Sequence, residues 1–447
     1  MLKKLWHKVA KKTPANTLNK QVLSYPQHGF DVHDISFAAE QVVTRLQKAG
    51  YQAYVVGGAV RDLLLDFEPK DFDVATDATP EEVSALFRRS RIIGRRFPIV
   101  HVMIGPETIE VTTFRGAGKV VQNQHGRIMR DNTYGSLEED AQRRDFTCNA
   151  LYFDPIKREI IDFHDGVSAV QSRELVIIGD AAERYQEDPV RILRAVRLSG
   201  KLGFSVAPDT AAPIATSAKH LQNEPVARLF DEIMKILFSG YARRCLQQLN
   251  TLNVPNNIHP LLSALQTANS GKTTMASIAL KNTDERLRAE KSVSVGFVLA
   301  TLLWSEVFAA WQKYLQRGLK TVPALSEAMA ETREKMEKWG VPQRFTATMR
   351  EIWQLQPQFD NMRGARPHRL LAQARFRAAY DFLILRAQMG EVPQEQVDWW
   401  TQFQHADEAE RQAMTMAAQQ GDEESRGKNK RRRKPRRRKS NAKSVDE

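Results

Sequence analysis

Over the first 180 residues, short apolar runs alternate with helical patterns; beyond them the apolar spacing is helical almost throughout. Tyr54, Val55 and Val56 predict a short buried strand. Val100 to Ile104 and Thr108 to Phe114 predict two more, around the turn Gly105-Pro106, and Glu159 to Phe163 with Leu175 to Ile178 predict a further pair. Phe37, Val42, Val43 and Leu46 make the apolar face of a helix near Ile35 to Ala49, which Gly50 ends. Thr79-Pro80-Glu81-Glu82 and Ser136-Leu137-Glu138-Glu139 are helix starts of the capping-box type, the second helix running through Thr147. Asp188 and Pro189 open another helix, which continues to Leu202.

From Ala227 to about Gln419 apolar residues recur at threes and fours. Phe297, Ala300, Trp304, Val307, Phe308 and Trp311 mark a core-facing stripe, and Trp353, Phe376, Tyr380, Phe382, Trp399 and Trp400 read as packing residues. This ordering predicts an α+β head over 35–180, a helical neck over 181–240 and an all-α body over 241–420. Residues 1–34 read as a loose polar arm, and Gly116 to Asn132 as a mobile loop.

Charge adds a fifth segment. Of the net +13, 12 positive charges fall between Arg426 and Lys443 with no acid among them, so only +1 remains elsewhere. Residues 421–447 are low in complexity and expected to be disordered. Arg431, Arg432, Arg433, Arg436, Arg437 and Arg438 suit non-specific contact with an RNA backbone. Two cysteines without metal-ligand spacing, Cys148 and Cys245, fit a reducing compartment, and a cytoplasmic setting is expected. The basic N-terminus lacks the apolar core of a signal peptide. The longest uncharged stretch, Ser292 to Ser305, is short for a bilayer and suits a buried helix, so no transmembrane segment is expected.

The chemistry concentrates between Tyr54 and Asp73. Gly57-Gly58 turns the chain from strand to helix, a place where backbone N–H groups and Arg61 suit a phosphate. In Asp71-Phe72-Asp73 the acids are two apart, so a strand puts both on one face. Paired carboxylates repel without a cation between them, which points to Mg²⁺, with Mn²⁺ as a substitute. Glu110 is a candidate third carboxylate from a neighbouring strand. Arg144 would neutralise phosphate or hold ribose, and Asp145 would orient ribose or support the metal, although Asp140 and Arg144 are also spaced to pair with each other. Arg191, Arg194 and Arg197 form a basic stripe without acids, suited to phosphates or base edges. His164-Asp165 is a partial match to a metal phosphohydrolase signature, but the further His and Asp are missing and a turn is expected.

Gly57-Gly58 with Arg61-Asp62, Asp71-Phe72-Asp73, Ile109-Glu110-Val111, Arg143-Arg144-Asp145-Phe146-Thr147 and Glu187-Asp188-Pro189-Val190-Arg191 follow one another over about 135 residues. The set resembles class II of the DNA polymerase β-like nucleotidyltransferases, which contains tRNA CCA-adding enzymes and bacterial poly(A) polymerases. Ile93-Gly94-Arg95-Arg96-Phe97, His101-Val102-Met103, Phe376-Arg377-Ala378-Ala379-Tyr380-Asp381 and the basic extension look like the poly(A) branch. Ala59 stands where many relatives carry a third glycine.

The resemblance implies a two-metal Mg²⁺ site on Asp71 and Asp73 and an active-site role for Asp145. By analogy Asp188 and Arg191 would lie near the adenine. It also implies AMP transfer from ATP to RNA 3′ ends (messenger RNA, regulatory RNA, decay intermediates), a role in RNA decay with decay proteins as partners, and a monomer. CCA addition to tRNA is the alternative activity, and an inactive RNA-binding protein on the same scaffold is a further one.

Overall fold

The computed structural model describes residues 20–94, 98–116, 121–122, 128–130 and 133–432. Most of the loop expected over 116–132, together with Arg95, Arg96, Arg433, Arg436, Arg437 and Arg438, lies outside them.

The head is built on an eight-stranded mixed sheet. In chain order its strands and main helices are β1 (Gln21–Ser24), α1 (Phe37–Lys48), β2 (Ala53–Val56), α2 (Gly58–Leu64), β3 (Asp73–Thr76), α3 (Pro80–Leu86), β4 (Ser90–Ile93), β5 (Ile99–Ile104), β6 (Glu107–Thr113), α4 (Leu137–Arg143), β7 (Leu151–Asp154) and β8 (Glu159–Asp162). The spatial order is β1-β8-β7-β2-β3-β6-β5-β4. β3 and β6 are parallel, while β2 runs antiparallel to both β3 and β7. All four residues of β2 and of β7 are buried, as expected for central strands covered on both faces. Val42, Val43 and Leu46 of α1 are fully buried, but Phe37, expected on the same face, is 69% exposed because it sits in the first turn beside the N-cap Ser36. Both capping boxes form: Ser136 accepts from the Glu139 amide and Thr79 from the Glu82 amide.

Several elements differ from expectation. The arm is not loose from Gln21 on, because β1 pairs with β8 along the sheet edge. An edge strand needs hydrogen bonds on one side only, so four residues suffice and leave little periodic signal. α4 stops at Arg143, and Arg144 turns extended (φ −64°, ψ 163°). Glu174–Leu175 pairs in parallel with Ser205–Val206 rather than with β8. Val121–Gln122 and Ile128–Arg130 pair as short antiparallel strands inside the expected loop.

The head is followed by α5 (Ala181–Glu187) and α6 (Val190–Leu202), then, past shorter helices, α7 (Ala242–Thr251). These belong to one compact unit, Met1–Pro225 with Arg244–Ile258; the other comprises Val226–Arg243 with His259–Glu447. The second unit is helical, including α8 (Pro260–Ala268), α9 (Met275–Arg288), α10 (Val295–Gln316), α11 (Phe376–Gln388) and α12 (Glu408–Arg432). Trp304, Trp339, Trp353 and Trp400 are almost fully buried in it. α10 has the length and hydropathy to cross a membrane, but 61% of its apolar window is buried within this fold, as in a core helix. α12 runs to Arg432, twelve residues into the stretch expected to be disordered, so Arg431 and Arg432 lie on helical backbone. Glu, Lys and Arg, which dominate Asp422 to Arg432, are strong helix formers, which explains the continuation.

Candidate active site

The site forms where β2 gives way to α2 and β3 faces β6. Gly57 takes φ +79°, a left-handed conformation that a side chain would strain, and its N–H donates to the Leu151 carbonyl at 3.1 Å. Gly58 then begins α2. Arg61 does not point out of this turn as an unengaged phosphate ligand. It is 5% exposed, donates to Asp62 Oδ1 at 2.9 and 2.6 Å, and donates to Asn149 Oδ1 at 2.5 Å. Its role in this structure is to fasten α2 to the Thr147–Asn149 turn.

Asp71 and Asp73 are exposed while the intervening Phe72 and the following Val74 are buried, so both acids face the same side. The regular strand begins only at Asp73. Glu110 is the register partner of Asp73 across the parallel β3–β6 pair, which places it where a third carboxylate was expected. His101 approaches Glu110 Oε1 at 3.3 Å from β5. Asp73 keeps solvent access, yet the atoms crowding it and the Glu110 carboxylate push its pKa up to about 6, with Asp71 adding to the rise and Arg144 opposing it. Burial and neighbouring carboxylates thus disfavour the charged form more than Arg144 offsets, and a hard cation would relieve both.

Among the described residues no three His, Cys, Asp or Glu side chains form a metal cage by themselves. Mg²⁺ rarely needs one, since it takes one or two carboxylates and completes its shell with water and substrate phosphates. The acids present fit that kind of site.

The Arg143–Thr147 segment supplies the second wall. Arg144 donates to Asp140 Oδ2 at 3.2 and 3.1 Å and to the Tyr152 hydroxyl at 2.9 Å, with its guanidinium stacked over the Tyr152 ring. The expected Asp140–Arg144 pair thus forms, and the guanidinium still acts electrostatically on Asp73. Asp145 meets Arg194 of α6 at 3.0 Å and accepts from the Phe146 amide at 2.8 Å. Burial raises its pKa, but Arg194 and that amide outweigh burial and hold it below the ordinary value.

The basic stripe of α6 is not an open row. Arg191 is 9% exposed and donates to the Arg184 carbonyl at 2.7 Å and to Glu187 Oε2 at 3.2 Å. Burial and the nearby Arg184 lower its pKa. Arg194 is spent on Asp145, and Arg197 is half-buried and also engaged. The acids missing from the stripe come from α5 and the head instead. Asp188 precedes α6, and its Oδ1 accepts from the Val190 amide at 3.2 Å.

Sequence reasoning passed over Arg184. It donates to the carbonyls of Arg143 at 2.9 Å and Arg144 at 2.7 Å and to Glu187 at 2.7 Å, tying α5 to the Arg143–Asp145 segment. Tyr152 and Asn149 were passed over as well, and Glu187 was noted only as part of the Glu187–Arg191 motif. Helical spacing carried a signal for Arg184 and Glu187, because Glu187 lies three residues from Arg184 and four from Arg191.

Three family profiles match: "Poly A polymerase head domain" over 53–176, "Probable RNA and SrmB-binding site of polymerase A" over 203–265, and "Polymerase A arginine-rich C-terminus" over 317–439. Poly(A) polymerase I of Salmonella typhi is 42% identical over 407 residues, covering 88% of both chains. A CCA-adding enzyme of Bacillus cereus is 38% identical, but over 214 residues only, 47% of this chain and 52% of that one. The crystal structure of the Bacillus stearothermophilus CCA-adding enzyme in complex with CTP superposes with a TM-score of 0.56 at 29% identity, covering 81% of this chain and 80% of that one. The likeness to poly(A) polymerases covers 88% of both chains while the CCA-adding relative from Bacillus cereus matches about half the chain, and with two acids facing one side where β3 begins, beside a glycine turn, the chain belongs to the bacterial poly(A) polymerase family of nucleotidyltransferases.

Proposed function

We propose that the chain adds AMP from ATP to RNA 3′ ends without a template, releasing pyrophosphate, and that Asp71 and Asp73 are the acids at the centre of that reaction. The observation that carries the assignment of residues is the shared face of Asp71 and Asp73, with Glu110 in register beside them. Asp71 and Asp73 would hold Mg²⁺, or Mn²⁺ in its place, and Glu110 is a further carboxylate in register with Asp73. Bound there, such ions supply Lewis-acid charge that favours the attacking 3′-alkoxide and the departing pyrophosphate.

The remaining roles belong to the chain itself. Gly57 and Gly58 form the turn at which a triphosphate would be held, with Arg61 bracing that turn through Asp62 and Asn149. Arg144, held by Asp140 and Tyr152, puts a fixed positive charge beside the acids. Asp145 and Arg194 join the head to α6, and Asp188 with Arg191 is the pair from which the base would be read. The bonds from Glu187 and the Arg184 carbonyl leave Arg191 little freedom to re-aim. The body and the basic tail would grip RNA. A cytoplasmic monomer that marks RNA for decay, in company with decay proteins, is the setting we infer.

Incubating the protein with a generic RNA and each NTP singly tests the reaction. Long A extension with ATP alone is expected; two C residues followed by one A would establish CCA addition instead. Asp73→Ala is expected to lower transfer by at least 10³-fold, on the order of 4 kcal/mol in the barrier, while leaving RNA binding unchanged. Retained transfer would remove Asp73 from the site.

A further inference from the structure

We propose that a groove on the helical body is a distinct RNA subsite, which takes a phosphate-linked nucleotide of single-stranded RNA upstream of the reacting 3′ end. The proposal rests on the reading above that RNA is the substrate, but on none of the head residues. The groove has a volume of about 780 Å³ and lies between α9, the segment that leads into α10 with its first turn, and the length of α11. That size is in the range of roughly 300–1,000 Å³ typical of small-ligand pockets, so it would seat a nucleotide unit rather than merely skirt a backbone.

Its lining has two parts. Arg286, Lys291, Arg375 and Arg377 are all exposed and come from two separate stretches of chain. Between them the half-buried ring of Phe297 contributes to the wall, held edge-to-face against Phe382 at 6.0 Å. Cations around an accessible aromatic ring are the arrangement by which single strands are held, the ring stacking on a base and the cations following the phosphates. Phe376, between Arg375 and Arg377, is 6% exposed and packed in the core as expected, so the accessible aromatic comes from α10.

Two acids also line the groove, Glu285 and Asp381. Arg377 meets Asp381 at 3.0 Å, and Arg375 meets Glu351 at 2.8 Å. Both are solvent-exposed ion pairs, of the kind that contributes little to stability, so both arginines can turn to a phosphate at small cost. Arg286 is fixed by two bonds to the Ser292 carbonyl, at 3.1 and 2.9 Å, which orients its guanidinium. The groove is therefore cationic and partly apolar, with Lys291 exposed and with Arg375 and Arg377 held only by solvent-exposed pairs.

Binding of fluorescent oligo(A) of increasing length to the full chain tests this, across a salt series, with AMP transfer measured in parallel. Lys291→Glu/Arg377→Glu is expected to weaken binding of a 20-mer about 10-fold and to flatten the salt slope by about 1.4, two contacts at about 0.7 each. Transfer to a trimer primer should be unchanged, with a melting curve matching the parent. Phe297→Leu, which keeps an apolar side chain but no stacking ring, should weaken the 20-mer several-fold with no change in slope. Unchanged affinity and slope in the double variant would overturn the subsite. So would an equal loss of binding to ATP alone, which would make it a free-nucleotide site, or to poly-glutamate, which would make it a docking site for acidic protein. Asp73→Ala reports on the head separately, since it should lose transfer and keep oligo(A) binding.

Discussion

His259 shows how much one side chain's surroundings decide. It caps α8, with Nδ1 accepting from the Leu261 amide at 3.2 Å, and it is 3% exposed. Burial disfavours its charged form and pushes its pKa down from 6.5 to about 4. Between those values the unfolded chain binds the proton and the folded chain does not. The stability this neutral imidazole contributes is thus complete above pH 6.5 and is lost as pH falls toward 4. His259→Asn keeps a capping acceptor and removes the titration. Melts at pH 7.5 and 4.5 should show the parent losing roughly 1–3 kcal/mol more than the variant over that interval. The same scale separates the readable site residues from the rest. Asp71, Asp73 and Glu110 were legible because strand alternation is local and an acid two residues from another must share its face. Arg61 and Arg191 were legible as cations but not as engaged ones. Asn149, which holds Arg61, lies 88 residues away, and the carbonyl and carboxylate that hold Arg191 belong to a different helix.

At the scale of elements, α6 is the clearest case. Its Arg spacing suggested an open basic face, and Gly200 stands in its interior, where glycine costs helix stability. The structure gives Gly200 a purpose: a Cβ there would lie 2.5 Å from Cys245 Cα, so α6 and α7 approach backbone to backbone. Gly200→Ala should therefore destabilise by about 1–3 kcal/mol despite alanine's better helix propensity, as measured by urea unfolding. Stabilisation would show that the crossing can relax. Helix starts were readable, because a capping box is a four-residue signal. The ends of α4 and the pairing of Glu174–Leu175 were not, since a distant partner decides where a chain leaves a helix or joins a strand. β1 went unread for the same reason.

Across the whole molecule, charge is concentrated toward the C-terminus. Truncation after Gln420 removes the 12 Lys and Arg between Arg426 and Lys443. RNA affinity should fall and its salt dependence should flatten, because fewer cations are released from the RNA on binding. Filter binding between 50 and 200 mM salt measures this, and an unaltered slope would rule out the tail as an RNA contact. The body groove predicts a second, smaller salt-dependent component that survives the truncation.

The amino-acid order by itself determined the α+β head, the helical body, the basic tail and the acid pair with its glycine turn. Each of these is written within a few residues, in a period, a turn or a run of one charge. Only the tertiary structure decided the strand order, the pairing of Asp73 with Glu110, and which arginines are already engaged. Strand order and register depend on residues far apart in the chain being brought within a few ångströms of one another, which no local pattern records. The arginines are engaged by near groups such as Asp62 and Glu187 as well as by distant ones such as Asn149, and the fold decides which of these contacts are made.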